Sequence, residues 1–251
     1  GALEHGISWW APLLPFTAGA MTAFQQYENV IDVHYEYVWT REEADFVLVA
    51  APTAPVLLGR MSPPGETYEG QGEFNVIGAG WNEASLAQGG YGYVTLIHEF
   101  GHGMGLAHPH DTGGGSEVMQ GVAADTDPGV FNLNQGVYTT MSYRSGNPDG
   151  RNGGSDSDNY GYEGTLGAFD VAVLQQKYGA NTSFASGDDV YALKDVNAAG
   201  TFYACIWDTG GVDEIRFDGA QDAVIDLRAA TLQYELGGGG FINGADSFKR
   251  L

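Results

Sequence analysis

Apolar residues in the first half of the chain follow two different periods, which predicts helices packed against a β-sheet. Between residues 18 and 33 they recur every three to four positions, as an amphipathic helix requires. Short apolar or alternating runs predict strands at residues 7–10, 34–38, 44–50 and 73–78. A further helix is expected to begin near Tyr91, so this half of the chain is predicted to be an α/β domain.

A third helix is predicted from residue 166 to residue 178. Gly179 follows it and suits the C-cap, because glycine adopts a left-handed backbone without steric cost. We expect the helix to pack beneath a turn that precedes it in the chain. Its buried stripe is expected to consist of Phe169, Val173 and Leu174.

The pattern changes after Asn181, and the change predicts a domain boundary. Short alternating runs replace the helical period and predict an all-β region. Its strands are expected at residues 190–193, 203–207, 214–217 and 223–227. We therefore divide the chain into an α/β domain at residues 1–181 and an all-β domain at residues 182–251.

Two histidines stand four residues apart in the second predicted helix. His98 and His102 lie on the same helix face, so both imidazoles can reach one metal ion. Gly105 can turn the chain sharply and bring His108 to the same ion as a third ligand. Three neutral imidazoles leave an open position on a tetrahedral Zn²⁺, which is typical of a catalytic site. Glu99 would face the water on that ion and take its proton.

Composition narrows the classes of function. The chain has 32 acidic and 10 basic residues, and its net charge of −22 argues against nucleic acid or an anionic membrane as partner. No stretch approaches the ~20 apolar residues of a membrane span. The first residues lack the features of an amino-terminal secretion signal. The single cysteine, Cys205, excludes an intramolecular disulfide and is expected to be a buried apolar residue.

Three stretches beside the histidine motif resemble serralysin-type metalloproteases of the metzincin clan. They are His108-Pro109, the Met-Ser-Tyr turn at residues 141–143, and Gln-Gln-Lys-Tyr-Gly-Ala-Asn at residues 175–181. The resemblance runs from about residue 7 to the end and is strongest between residues 91 and 181. It implies a metzincin catalytic domain with a twisted, mostly parallel five-stranded sheet. Residues 56–61 would be its antiparallel edge strand, to which an extended peptide can add.

The resemblance also assigns roles near the metal. It implies that Tyr143 is a further zinc ligand in the resting enzyme, which swings away when substrate binds and donates a hydrogen bond to the oxyanion. We interpret Met141 as an apolar floor beneath the histidines. His110 is expected to be solvated or to support the site, because three ligands are already present. Residues 109–137 would form the lower lip of the cleft, and residues 149–159 a mobile surface loop.

A calcium site is predicted in the all-β domain. Residues 207–213 resemble the first half-turn of a calcium β-roll, where glycines let carbonyl groups approach the ion and aspartates supply charge. The resemblance places a partner turn within residues 186–191. The domain is therefore expected to be the start of a parallel β-roll. The predicted calcium-binding residues are Gly187, Asp189, Asp208, Gly210, Gly211 and Asp213.

The metal motif predicts a zinc endopeptidase with Ca²⁺ as a second metal, and the resemblance implies that it is secreted and extracellular. We expect a monomer that acts on proteins or peptides, with a proteinaceous protease inhibitor as a further partner and with neither nucleic acid nor membrane. One alternative is a non-catalytic, calcium-dependent adhesion or binding module with a vestigial zinc site, against which the intact Glu99 argues. Another is a different metzincin branch. The single cysteine argues against astacins, and Tyr143 argues against matrixins.

Overall fold

The structure is a computed structural model that describes residues 3–10, 14–52, 57–78, 80–148 and 155–245. Its main element is a five-stranded sheet. The strands are β1 (Leu3–Trp10), β2 (Val33–Tyr37), β3 (Phe46–Ala51), β4 (Gly59–Met61) and β5 (Gln71–Asn75). Their spatial order is β2-β1-β3-β5-β4. All neighbouring strands are parallel except β4, which is antiparallel to β5.

This sheet confirms the predicted α/β architecture and its mostly parallel strand arrangement. The strand expected at residues 56–61 is shorter than predicted, because β4 begins at Gly59, and residue 56 lies outside the described residues. It nevertheless occupies the antiparallel edge, as the resemblance implied. Strand β1 begins earlier than predicted, because Leu3–Ile7 pairs with β2.

Three α-helices accompany the sheet in the described segments of the chain. They are α1 (Leu14–Val30), α2 (Tyr91–Gly103) and α3 (Ala168–Tyr178). Three single 3₁₀ turns lie at Arg41–Glu43, Gly113–Gly115 and Val130–Asn132. Helices α1 and α2 pack against each other and against the sheet. None of the helices in the described part of the chain is long and apolar enough to cross a membrane.

Aromatic side chains fix α2 in the core. Phe24 of α1 stacks on Phe100 of α2 with ring centroids 3.9 Å apart, and Phe46 of β3 packs against Phe24 at 5.6 Å. Burying a side chain of this size stabilises a fold by ~2–3 kcal/mol. The hydroxyl group of Tyr27 donates a buried hydrogen bond of 2.6 Å to the carbonyl oxygen of Ile97. This hydrogen bond joins α1 to α2 at the residue before His98, so it helps to fix the position of that histidine.

Helix α3 buries a different stripe from the predicted one. Leu174 is fully buried as expected, but Val173 is 44% exposed. Asp170 and Val171 are buried instead, and Phe169 is only partly buried. The reason is that Asp170 accepts several buried hydrogen bonds, which hold the helix face carrying Asp170 toward the interior. Gly179 follows the helix with a φ of 82°, as the C-cap prediction requires.

Between Asn181 and residue 245, where the described residues end, the chain contains four short strands. They are β6 (Val190–Ala192), β7 (Glu214–Arg216), β8 (Ala223–Val224) and β9 (Gly244–Ala245). Strands β6 and β7 are parallel, whereas β8 and β9 are antiparallel. The strand expected at residues 203–207 is wrong, because Tyr203 makes only an isolated bridge, to Glu163. The division at residue 181 and the calcium-binding character of the second part stay predictions.

Cys205 lies in this second part and is partly buried rather than fully buried. Burial raises the pKa of its thiol to about 11. A thiol of that pKa carries almost no thiolate at neutral pH, so the Cys205 side chain is expected to be unreactive.

Candidate metal centre

Three imidazole rings converge at the carboxyl-terminal end of α2. The Nε2 atom of His108 lies 3.1 Å from that of His98 and 3.0 Å from that of His102. The first two rings share a helix face. The third is brought back by Gly105, which has a φ of 79°. The predicted turn is therefore present, and the three predicted ligands come together.

The opposite nitrogen of each ring has an acceptor. Nδ1 of His98 lies 2.8 Å from the carbonyl oxygen of Thr140, and Nδ1 of His102 lies 3.0 Å from that of Leu106. Nδ1 of His108 lies 2.5 Å from Oδ2 of Asp111. These acceptors place the proton on each Nδ1, so three Nε2 lone pairs face one another with no donor between them.

That arrangement fits a divalent metal ion. Three unprotonated imidazole nitrogens can share a cation such as Zn²⁺, whereas neutral acceptors this close would repel each other without one. The protonation equilibrium supports the same conclusion. Burial and the neighbouring histidines lower the pKa of His98 to about 3 and that of His102 to about 4. Both rings are therefore neutral, as ligands must be, throughout the physiological pH range.

Glu99 belongs to α2, and its side chain lies against the edge strand β4. Its side chain is 7% exposed, and burial raises the pKa of its carboxyl group to about 8, against an opposing hydrogen bond from the backbone of Met61. Gly59 of β4 makes room for it, because a Cβ atom there would lie 2.9 Å from Cγ of Glu99. Burial thus makes this carboxyl group hold a proton more readily than a solvated one.

Tyr143 and His110 border the histidine cluster. The Tyr143 ring centroid lies 5.6 Å from that of His98 and 4.7 Å from that of His108. Tyr143 is 54% exposed, so it borders both the histidine cluster and solvent. Partial burial, with nearby carboxylates, raises the pKa of the phenol and keeps it a hydrogen-bond donor. His110 stacks on His108 at 4.9 Å and lies 5.1 Å from Tyr143.

The Met-Ser-Tyr turn lies directly beneath α2. Met141 is 2% exposed, and a Cβ atom at Gly101 would lie 2.6 Å from its sulfur. The sulfur thus packs against the backbone of α2 between His98 and His102, where an apolar floor was expected. Thr140, which precedes Met141, carries the carbonyl group that orients the ring of His98.

A buried aspartate holds this turn in place. Asp170 of α3 is 2% exposed and accepts four hydrogen bonds. The donors are the Thr139 hydroxyl (2.6 Å), the Thr140 amide (2.7 Å), the Thr140 hydroxyl (3.0 Å) and the Gly167 amide (2.9 Å). Burial still raises the pKa of this carboxyl group, against those hydrogen bonds. Helix α3 therefore fixes Thr140, and through Thr140 it fixes the ring of His98.

Sequence reasoning missed several residues of this centre. They are Asp111, Asp170, Gly59 and Met61. Asp111 stands three residues after a predicted ligand, a spacing that a search for supporting carboxylates could have found. Asp170 lies in the first turn of α3 and carried only the signal of an acidic helix start. The two residues of β4 carried no local signal, because their role depends on where the strand lies.

The predicted calcium turns also come together. One carboxylate oxygen from each of Asp189, Asp208 and Asp213 lies within 4.8 Å of the others. The Asp189 amide donates to Asp213 at 3.0 Å, across 24 residues of sequence. Gly211 has a φ of 116°, and a Cβ atom there would collide with the carbonyl oxygen of Gly187. The two turns are therefore stacked closely. Gly210 lies in the same turn, where its amide donates to Asp208.

The glycine-rich run at 149–159 is described only in part. Residues 149–154 lie outside the described residues, so the mobile loop predicted there stays a prediction. Residues 155–159 form turns closed by the hydroxyl groups of Ser155 and Ser157.

Comparison with known proteins finds relatives among bacterial metalloproteases. The chain is 34% identical to a serralysin of Proteus mirabilis over 161 residues, which is 60% of this chain and 30% of the relative. It is 28% identical to a serralysin of Photorhabdus luminescens over 236 residues, 88% of this chain and 46% of the relative. It is also 34% identical to the metalloprotease AprA of Pseudomonas entomophila over 161 residues, 60% of this chain and 32% of the relative.

No protein-family profile matches the chain. The chain spans about a third to a half of the length of the curated relatives it matches. Within that span, the relatives support the resemblance inferred from the histidine motif and the Met-Ser-Tyr turn. The chain is thus similar in sequence to serralysin-type metalloproteases over 60% to 88% of its length.

Proposed function

We propose that this protein is a secreted zinc endopeptidase that hydrolyses peptide bonds of extracellular proteins. The observation that supports this most directly is the convergence of three Nε2 atoms, each with its Nδ1 held by an acceptor, next to the buried carboxyl group of Glu99. Bound Zn²⁺ would supply a Lewis acid that polarises a carbonyl group and makes water more acidic. The histidines His98, His102 and His108 would hold it.

The chain's own side chains would handle the protons and the developing charge. Glu99 would take a proton from the attacking water and deliver it to the leaving amine, and burial, which raises the pKa of its carboxyl group, would help it to hold the proton between the two transfers. Tyr143, whose phenol stays protonated, would donate a hydrogen bond to the carbonyl oxygen as negative charge builds on it. The resemblance adds that Tyr143 is a metal ligand in the resting state.

Strand β4 would hold the substrate. It pairs with β5 on one side, and its other side carries no strand among the described residues. An extended peptide could add there through backbone hydrogen bonds, which requires little side-chain selectivity. The same strand contacts Glu99 through Gly59 and Met61, so a peptide bound on β4 would lie close to the proposed base. The proposed partners are therefore protein or peptide substrates of a monomeric enzyme, and a proteinaceous inhibitor would compete for this edge.

Metal removal tests this function. We expect about one zinc atom per chain by mass spectrometry, together with cleavage of casein, because three imidazoles converge on one point. Treatment with a zinc chelator should abolish cleavage, and added Zn²⁺ should restore it. Zinc binding without any cleavage would favour the non-catalytic binding module, and the absence of bound zinc would contradict both.

We further propose that Asp189, Asp208 and Asp213 bind Ca²⁺ between the stacked turns. Three carboxylates this close repel one another without a cation, and oxygen ligands of this kind suit calcium. Added Ca²⁺ at 100 times its Kd would stabilise the folded state by ~2.7 kcal/mol. The midpoint of thermal unfolding should therefore rise by several degrees.

Two variants make this measurement specific. Asp213→Asn removes one charge from the three-aspartate cluster and should remove most of the calcium-dependent rise. Asp222→Asn changes an exposed carboxylate in the same part of the chain and should keep it. An unfolding midpoint that does not respond to Ca²⁺ in the unchanged protein would rule out this site.

A further inference from the structure

The three metal-facing histidines differ in the partner of Nδ1. For His98 and His102 that partner is a neutral backbone carbonyl group. For His108 it is the carboxylate of Asp111, and this contact is the shortest of the three, at 2.5 Å. A carboxylate accepts a hydrogen bond from imidazole more strongly than an amide carbonyl does. His108 is therefore the ring whose electron density is raised most by its partner.

Asp111 is held in place for this contact. Its second oxygen, Oδ1, accepts a hydrogen bond of 2.9 Å from the amide of Gly113. The turn is closed by the Asp111 amide, which donates to the carbonyl oxygen of His108 at 3.4 Å. The Asp111 side chain is 41% exposed, so water could hydrate it, yet both oxygens are used inside the loop. His110 stacks on the face of His108 and restrains the same ring.

We propose that Asp111 is a positioning residue that sets the strength of His108 as a metal ligand. The proposal rests on the proposed function, because it assumes that the three histidines bind zinc. The carboxylate fixes the tautomer and the orientation of the ring and makes Nε2 a better donor to the metal. The other two rings cannot be tuned in this way by a side chain, because their partners are backbone atoms. Among the three Nδ1 acceptors, Asp111 is thus the one that is a side chain and can be replaced directly by mutation.

Metal competition with a chromophoric chelator tests the proposal. Loss of such a carboxylate partner typically lowers metal affinity 10- to 100-fold. We therefore expect Asp111→Asn, which keeps the size of the side chain and removes its charge, to raise the Kd for Zn²⁺ by about that factor. Asp111→Glu, which restores the charge, should recover part of the affinity. Glu117→Gln removes a carboxylate from an exposed position of the same loop and should leave the Kd unchanged.

Two further measurements separate this role from a structural one. The visible absorption of the cobalt-substituted protein reports the ligand field, so its bands should shift in Asp111→Asn and return toward the original in Asp111→Glu. The metal-free Asp111→Asn variant should unfold at the same temperature as the unchanged protein. An unaltered zinc Kd and cobalt spectrum, or an affinity loss matched by a loss of metal-free stability, would overturn the proposal. Failure of the unchanged protein to bind zinc would instead overturn the proposed function.

Discussion

Replacing Glu99 with glutamine is expected to lower peptide hydrolysis by about 10²- to 10⁴-fold, the usual contribution of a general base. Glutamine has nearly the same size and can still accept the hydrogen bond from the Met61 backbone. Glutamine therefore fits the space beside Gly59, whereas a larger side chain would not fit there. It cannot take a proton from water at neutral pH. Because Glu99 is not one of the three proposed metal ligands, the variant should contain as much metal as the unchanged protein.

The rate is measured as kcat/KM on a fluorogenic peptide, with metal content determined on the same sample. Glu83→Gln makes the same chemical change at an exposed position and should leave both values unchanged. Tyr143→Phe is the informative comparison, because it removes only the phenol oxygen. It should lower turnover about 10²-fold, as loss of an oxyanion donor does. A Glu99→Gln protein that turns over substrate normally would show that another group acts as the base.

Replacing Asp170 with alanine is expected to lower the free energy of unfolding by ~3 kcal/mol and to weaken metal binding. The change leaves the amide and hydroxyl of Thr140 and the hydroxyl of Thr139 without their buried acceptor. Each unsatisfied buried donor costs about 1–3 kcal/mol, although relaxation of the turn recovers part of that sum. Metal binding should weaken because the carbonyl oxygen of Thr140 orients the ring of His98.

Urea unfolding of the metal-free protein and a zinc competition titration measure the two effects. Thr139→Val is a graded control, because it leaves the Asp170 carboxylate with three donors and removes, besides the Thr139 donor, only the 3.2 Å hydrogen bond from the Met141 amide to the Thr139 hydroxyl. It should cost only about 1 kcal/mol and leave zinc affinity nearly unchanged. A stability loss for Asp170→Ala within the ~0.5 kcal/mol typical of surface substitutions would mean that the turn does not depend on this helix.

The predictions that succeeded rest on short-range geometry. The spacing of His98 and His102 fixes their common face, because a helix repeats every 3.6 residues. Gly105 predicts the turn that brings His108 back to the other two histidines, since glycine adopts a positive φ without strain. Strands β1, β2 and β3 likewise overlap the predicted apolar or alternating runs, whereas β5 (Gln71–Asn75) lies earlier in the chain than the run at residues 73–78 predicted. The prediction failed at residues 203–207, where the local pattern was ambiguous. The alternating residues there form only a single bridge and no strand.

By itself, the sequence predicted that His98, His102 and His108 converge and that a carboxyl group stands next to the first of them. Only the tertiary structure decided how those residues are held. Asp170 reaches the Met141 turn across about 30 residues of sequence, and Asp189 meets Asp213 across 24. Gly59 and Met61 meet Glu99 only because β4 lies at the edge beside α2. Such contacts depend on packing between elements, which a local period cannot encode, so the supporting residues emerge only when the chain is folded.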